Sequence, residues 1–82
     1  MIDILLVEDN RSVAMALRQA TALDYNLTLA QTGLSGIKLS LDNNYDAIIL
    51  DLNLPDISGL EVCQRLRAAG DTTPILILSG ED

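Results

Sequence analysis

The chain has 82 residues, which suffice for one small domain with its own core and are too few for two. Its composition is 49% hydrophobic and 21% charged, as in globular proteins, but without Phe or Trp the core must be aliphatic. The net charge of -7 argues against direct binding to nucleic acid phosphates or to anionic lipid.

Cysteine and histidine usage limits the available chemistry. The single cysteine, Cys63, cannot form an internal disulfide, and no amino-terminal segment resembles a signal peptide, so we expect a cytoplasmic protein. No apolar run approaches the roughly 20 residues that cross a bilayer. Because histidine is absent, Ser-His and Cys-His pairs, imidazole metal ligands and an internal phosphohistidine are excluded.

The first half of the chain reads as two strand and helix pairs. Residues 3–7 predict a buried strand, and Asn10 can cap a first helix over about residues 11–22. Residues 27–30 alternate like an edge strand, and Thr32 introduces a second helix. The apolar positions expected to face the core are Val13, Leu17 and Ala20 or Thr21 for the first helix, with Leu23 near its end, and Leu34, Ile37 and Leu41 for the second.

The second half continues this alternation. Residues 45–52 predict a third strand, residues 55–59 a loop and residues 74–78 a fourth strand. A third helix lies between them, with a buried stripe of Leu60, Cys63 and Leu66 in which the cysteine packs rather than reacts. Strands that alternate with helices and are apolar on both faces favour an α/β fold with a parallel sheet covered on both sides.

Acidic residues stand where two of these strands end. Glu8 and Asp9 follow the first strand, and Asp51 ends the third. In an open parallel sheet the carboxyl ends of the strands border the ligand crevice, so we expect the three carboxylates to converge. Each like-charged pair at ~4 Å costs on the order of 4 kcal/mol at an effective dielectric of ~20, which favours a bound cation or shifted pKa values. Taken singly, each residue reads as a solvated strand end.

Magnesium is the cation that this set of oxygen ligands fits. Asp9 and Asp51 suit direct ligation, Glu8 can act through water, and the backbone carbonyl of Asn53 can complete the shell if the loop folds back. Ser79 ends the fourth strand, where its hydroxyl could donate a hydrogen bond to an anion beside the metal; a serine that merely stops a strand is the alternative.

Three blocks carry a resemblance to a known family: residues 4–10 (ILLVEDN), 46–62 (DAIILDLNLPDISGLEV) and 74–80 (PILILSG). In order and spacing the chain resembles the receiver domain of two-component response regulators. The Glu8-Asp9-Asn10 form is similar to receivers attached to hybrid sensor histidine kinases.

The resemblance implies a flavodoxin-like three-layer fold, with strand order 2-1-3-4, helix one on one face and helices two and three on the other. It also implies a phosphoacceptor signalling domain of a phosphorelay rather than an enzyme. Asp51 would take a phosphoryl group from a phosphohistidine on a histidine kinase or a histidine phosphotransfer protein. Glu8, Asp9, Asp51 and the Asn53 backbone would bind magnesium, and Ser79 would contact the phosphoryl oxygens.

The chain also departs from the family pattern. Receivers continue through a fourth helix, a fifth strand with a phosphoryl-contacting lysine, and a fifth helix, whereas residues 1–82 stop after the fourth strand, so impaired phosphorylation is expected. The only lysine, Lys38, lies in the second helix and cannot take that role. A shortened flavodoxin-like fragment or assembly module with a vestigial acidic pocket is the alternative. A haloacid-dehalogenase-like phosphatase would need a second aspartate where Asn53 stands.

The same departure predicts self-association. Without a fifth unit, one face of the strands at residues 4–7, 48–50 and 75–78 should be uncovered, and the fourth strand should form an apolar edge. Each aliphatic side chain left uncovered forfeits about 1.5–3 kcal/mol of burial. We therefore expect a homodimer through the fourth strand or the exposed sheet face.

Overall fold

The structure is a computed structural model and describes residues 1–78. Its elements in chain order are β1 (Ile2–Val7), α1 (Arg11–Thr21), β2 (Tyr25–Ala30), α2 (Gly33–Asp42), β3 (Ala47–Asp51), α3 (Gly59–Ala68) and β4 (Ile75–Leu78). The predicted succession of strands and helices is confirmed. β2 begins earlier than predicted because its backbone pairs with β1 as far as Tyr25, and β3 is shorter than predicted.

The four strands form one parallel sheet in the order β2-β1-β3-β4, as predicted for a flavodoxin-like fold. β1 lies between β2 and β3, so Ile4 pairs with Leu27 on one side and with Ala47 on the other. Since all strands run in the same direction, their carboxyl ends lie along one edge of the sheet. That edge is where the acidic residues are found.

Helices α2 and α3 close one face of the sheet. The fully buried side chains of this face come from the two central strands and from α3, and they are Leu5, Val7, Ile48, Leu50, Val62 and Leu66. Helix α2 approaches so closely that a Cβ atom at Gly36 would lie 2.8 Å from Cγ2 of Val7. At about 1.5–3 kcal/mol for each buried aliphatic side chain, this face supplies most of the hydrophobic stabilisation.

Helix α1 lies on the opposite face, as predicted, and covers it only in part. Its Arg18 guanidinium donates to the carbonyl of Leu27 on β2, and Ile4 and Leu6 of β1 are buried. An apolar groove of about 270 Å³ remains between the end of α1 and the strands, lined by Ile4, Thr21, Tyr25, Leu27, Ala47, Ile49 and Leu76. The uncovered surface is therefore narrower than predicted, because β1 is covered, and it is centred on β3 and β4.

Each helix begins at a side-chain cap. The Asn10 carboxamide accepts from Val13 N, as its position predicted, and the Ser58 hydroxyl accepts from Glu61 N at the start of α3. Thr32 begins α2 with a reciprocal capping box, in which its hydroxyl accepts from Ser35 N. Such caps satisfy amide groups that have no partner within the helix and fix where each helix begins.

The helix faces differ from the sequence prediction. Large apolar residues expected in the core are instead substantially exposed: Val13, Leu34, Leu41 and Leu60. Small residues take their places against the sheet or the neighbouring helix, namely Ala14, Gly33, Gly36 and Ser40. Close helix packing needs small residues at the contact, whereas a periodicity argument gives most weight to large ones. Leu66 is buried and Cys63 packs against the core, as predicted.

Among residues 1–78, no helix combines the length and apolar character required of a bilayer span.

Candidate functional site

The acidic residues converge at the carboxyl ends of β1 and β3. These strands are neighbours, with Val7 paired to Leu50, so Glu8 and Asp9 follow β1 beside the point where β3 ends in Asp51. One carboxylate oxygen from each of the three residues lies within 4.8 Å of the other two. The sequence predicted this convergence, and the register of the sheet produces it.

Glu8 is the buried member of the cluster, with 5% of its surface exposed. Its backbone N–H donates to the carbonyl of Ala30, and its Oε2 accepts from Asn10 N at 3.1 Å. Burial raises the pKa of Glu8 above its ordinary value; the N–H of Asn10 opposes this, while the carboxyl groups of Asp51 and Asp9 raise it further. Burial and two like-charged neighbours thus disfavour the charged form of Glu8.

Asp51 is half-buried and held by the loop that follows it. Its Oδ1 accepts from Asn53 N at 3.1 Å, and Gly59 N donates to the carbonyl of Leu52 at 3.1 Å. A Cβ atom at Gly59 would lie 2.6 Å from the carbonyl oxygen of Asp51. Glycine is therefore required at the first position of α3 for the helix to begin this close to the site.

Asp56 contributes a contact that sequence reasoning missed. Its carboxylate reaches across from the loop between β3 and α3 and accepts from Gly33 N at 2.8 Å and Leu34 N at 2.9 Å, at the beginning of α2. The Leu34 N–H is the main reason that the pKa of Asp56 lies below its ordinary value. In sequence Asp56 reads only as a loop residue after a proline, and no local signal indicates a partner more than twenty positions earlier.

Three further residues were considered for the site from the sequence, namely Asn53, Ser79 and Lys38. Asn53 is exposed and close to Asp51 through its backbone, while Ser79 lies outside the described residues. Lys38 is far along α2 and pairs with Asp42 at 2.7 Å, where its ammonium group is largely exposed.

The family of the chain follows from comparison with known proteins. Residues 4–82 match the family model for the response regulator receiver domain. The chain belongs to this family. Within residues 1–78, the receiver domain has its acidic residues and its sheet order where the resemblance placed them.

Curated relatives of this receiver domain are longer proteins. It is 42% identical over 80 residues to the response regulator MprA of Mycobacterium sp. (strain KMS), and 41% identical to MprA of Mycolicibacterium vanbaalenii. In both cases the match covers 96% of this chain and 35% of the relative. The chain thus spans about a third of the length of the curated relatives it matches.

Solved structures show the same fold. The receiver domain of the Francisella response regulator 1452 superposes with a TM-score of 0.93 at 28% identity, covering 100% of this chain and 69% of that one. The response regulator TrrA from Thermotoga maritima, crystallised in complex with Mg(2+)-BeF, superposes with a TM-score of 0.90 at 31% identity, covering 100% and 72%.

Proposed function

We propose that this receiver domain is the phosphoacceptor of a two-component phosphorelay and that Asp51 takes the phosphoryl group. The donor would be a phosphohistidine on a histidine kinase or a histidine phosphotransfer protein, in the cytoplasm. The observation that carries the proposal is the convergence of Glu8, Asp9 and Asp51 within 4.8 Å at the ends of two adjacent parallel strands. Membership of the receiver domain family supports it.

The cluster suits magnesium as the cofactor. All its donors are oxygen atoms, which Mg²⁺ prefers, and a site with two or three carboxylates leaves room for the waters that the ion retains. Asp9 and Asp51 would bind directly, Glu8 through water, and Asn53 through its backbone carbonyl. When bound, the ion would neutralise charge on the transferring phosphoryl group.

The residues of the chain perform the remaining steps. A carboxylate oxygen of Asp51 attacks phosphorus, the bond from phosphorus to the donor's imidazole nitrogen breaks, and that nitrogen keeps the electron pair and takes a proton from solvent. Asp51 becomes an acyl phosphate. The hydroxyl of Ser79 would donate a hydrogen bond to a phosphoryl oxygen, a form of fixed electrostatic stabilisation.

Acetyl phosphate with MgCl₂, followed by intact mass measurement, tests phosphoryl transfer. We expect a mass increase of one phosphoryl group, lost on treatment with hydroxylamine and absent in Asp51→Asn. We expect the reaction of the 82-residue chain to be slow, because its only lysine, Lys38, lies in the second helix, where it pairs with Asp42, and does not match the phosphoryl-contacting lysine of the family. Asp42→Asn is the matched control and should react like the wild type. Incorporation that persists in Asp51→Asn would disprove the assignment of the phosphoacceptor.

Titration with MgCl₂, followed by amide resonances, tests the metal site separately. Resonances of residues 8–10 and 51–53 should shift together, and Asp51→Asn should weaken binding. If these resonances do not move, the pocket does not bind magnesium under the conditions of the assay.

We also propose that the 82-residue chain forms a homodimer through its open sheet face. Within residues 1–78, β4 pairs only with β3, and Leu76 in the apolar groove is 61% exposed. A second copy could cover this groove and pair with the edge of β4. Sedimentation equilibrium at micromolar concentration should give the dimer mass, and a folded monomer with a cooperative melt would contradict the proposal. A dimer that takes no phosphoryl group would favour an assembly module.

A further inference from the structure

The loop between β3 and α3, residues 52–58, is attached to a helix distant in sequence. At the beginning of α2, Ser35 N donates to the Thr32 hydroxyl at 3.1 Å, and the Asp56 carboxylate accepts from the two preceding amides, Gly33 N and Leu34 N. Helix amides at these positions have no partner within the helix. Asp56 therefore completes the cap of α2 from another part of the chain.

A second contact presses the same loop against α2. A Cβ atom at Gly33 would lie 2.6 Å from Cγ1 and 3.2 Å from Cδ1 of Ile57, the residue after Asp56. Ile57 is half-buried and packs against the core of the closed face. The loop thus has one polar and one apolar attachment to α2 at adjacent positions.

The attached loop leads directly from the site. Asn53 N donates to the Asp51 carboxylate at its beginning, and Gly59 N donates to the Leu52 carbonyl where α3 begins. Both of these bonds join residues of the β3 and α3 segment to each other. The Asp56 bonds instead fix the middle of the loop to a separate element, so they restrict where residues 52–55 can lie relative to β1.

We infer that Asp56 is a positioning residue for phosphoryl transfer: its two hydrogen bonds to α2 hold the loop so that the Asn53 backbone faces the acidic cluster. The inference rests on the proposed function, because Asn53 matters to the reaction only if the cluster binds magnesium. A carboxylate suits this role because its two oxygens accept from two adjacent amides at the positive end of a helix dipole. Asparagine offers one acceptor oxygen, and alanine offers none.

Asp71 provides a matched control at the other end of α2. Its carboxylate accepts from the Ser40 hydroxyl and from the backbone and hydroxyl of Thr73, so it also ties a loop to α2. That loop precedes β4 and lies at the amino ends of the strands, away from the acidic cluster. If Asp56 has only a structural role, its substitution should have the same consequences as Asp71→Asn.

The test compares Asp56→Asn, Asp56→Ala and Asp71→Asn in the 82-residue chain. Mg²⁺ affinity is measured from the amide resonances of residues 8–10 and 51–53, and amide hydrogen exchange of Asn53 is measured without metal. We expect Asp56→Ala to weaken Mg²⁺ binding by about 10-fold, as for other groups outside the ligand shell. Exchange at Asn53 should accelerate, with a smaller effect in Asp56→Asn, whereas Asp71→Asn should lower the unfolding temperature and change neither quantity.

The outcomes separate the two proposals. If the wild type binds no Mg²⁺, the proposed function fails, while accelerated exchange at Asn53 in the Asp56 variants would still support loop positioning. If the variants fold and both Mg²⁺ affinity and Asn53 exchange equal those of the wild type, the inference is overturned. Should Asp56→Ala not fold, Asp56→Asn, which keeps one acceptor, decides the question by the same two measurements.

Discussion

The two faces of the sheet use the same kinds of side chain and bury them very differently. On the face of α2 and α3, Ile48 and Leu50 are fully buried, whereas on the face of α1 the equally apolar Leu76 is 61% exposed. Residues alternate between the faces along each strand, so the strands themselves supply both surfaces equally. The difference lies in cover: among residues 1–78, two packed helices close one face, and one helix leaves part of the other open. Burial here is decided by neighbours and not by residue type.

This contrast explains where stability and association reside. The closed face holds the buried cluster around Leu5, Val7, Val62 and Leu66. Substitutions that disrupt this cluster should unfold the domain. The open face holds the groove around Ile49 and Leu76, and its substitution should change what the surface binds. Substitutions on each face test this division.

Leu66→Ala should give the largest effect. The side chain is 1% exposed and packs in the closed core, so its truncation leaves a cavity and should lower the free energy of unfolding by about 2–5 kcal/mol. Leu76→Ala, measured in the same urea unfolding experiments at low protein concentration, should change it by about 0.5 kcal/mol or less. Equal losses for the two variants would show that the open face is covered in the monomer.

Leu76→Lys should have an intermediate effect, on association. A charge in the groove would have to be desolvated in the dimer, so we expect the dissociation constant from sedimentation equilibrium to rise by at least about 10-fold. Leu60→Lys is the matched control, because Leu60 is 63% exposed on α3 and does not line the groove. If Leu60→Lys disrupts association equally, the dimer uses another surface.

The Asp71 carboxylate should make the smallest contribution to the free energy of unfolding, and this contribution should depend on pH. Burial raises its pKa, but the hydrogen bonds from Ser40 and Thr73 outweigh burial and hold the pKa below the ordinary value of 3.8. The folded state therefore binds this proton less readily than the unfolded state, and the stabilisation is present above pH 3.8 and lost as pH falls through the folded-state pKa. For this partly exposed group we expect on the order of 0.5 kcal/mol.

Urea unfolding of Asp71→Asn and of the wild type at several pH values measures this contribution of Asp71 to stability. The free energy of unfolding of the wild type should exceed that of Asp71→Asn at neutral pH, and this difference should shrink in acid. A difference that is independent of pH would mean that the hydrogen-bond geometry matters and the charge does not.

Sequence and structure agree most closely on the strands and the acidic residues. The apolar runs ending in Val7 and Leu50 predicted two buried strands, and parallel pairing then brought Glu8, Asp9 and Asp51 together as expected. The prediction succeeded because a short run that is apolar on both faces is typical of a buried parallel strand, and because parallel strands share one carboxyl edge. Membership of the receiver domain family accords with it.

Agreement is poorest on the inward faces of the helices. Leu60 and Leu34 were expected in the core and are exposed, whereas Gly36 and Ser40 of α2 are buried. Helical spacing defines a stripe of residues but does not fix how the helix is rotated or how near it comes to the sheet. Helix α2 lies so close to Val7 that only a small residue fits at the contact. A hydrophobicity pattern does not identify such positions.

The sequence by itself determined the order of elements, the parallel sheet and the positions of the acidic residues, because these depend on local periodicity, on turns and on the ends of apolar runs. Only the tertiary structure decided that Asp56 caps α2, that Gly59 must approach Asp51, and that, within residues 1–78, the uncovered part of the sheet is limited to a groove centred on β3 and β4. These features join groups from separate elements. Their physical basis is the distance between packed elements, which no local stretch of sequence specifies.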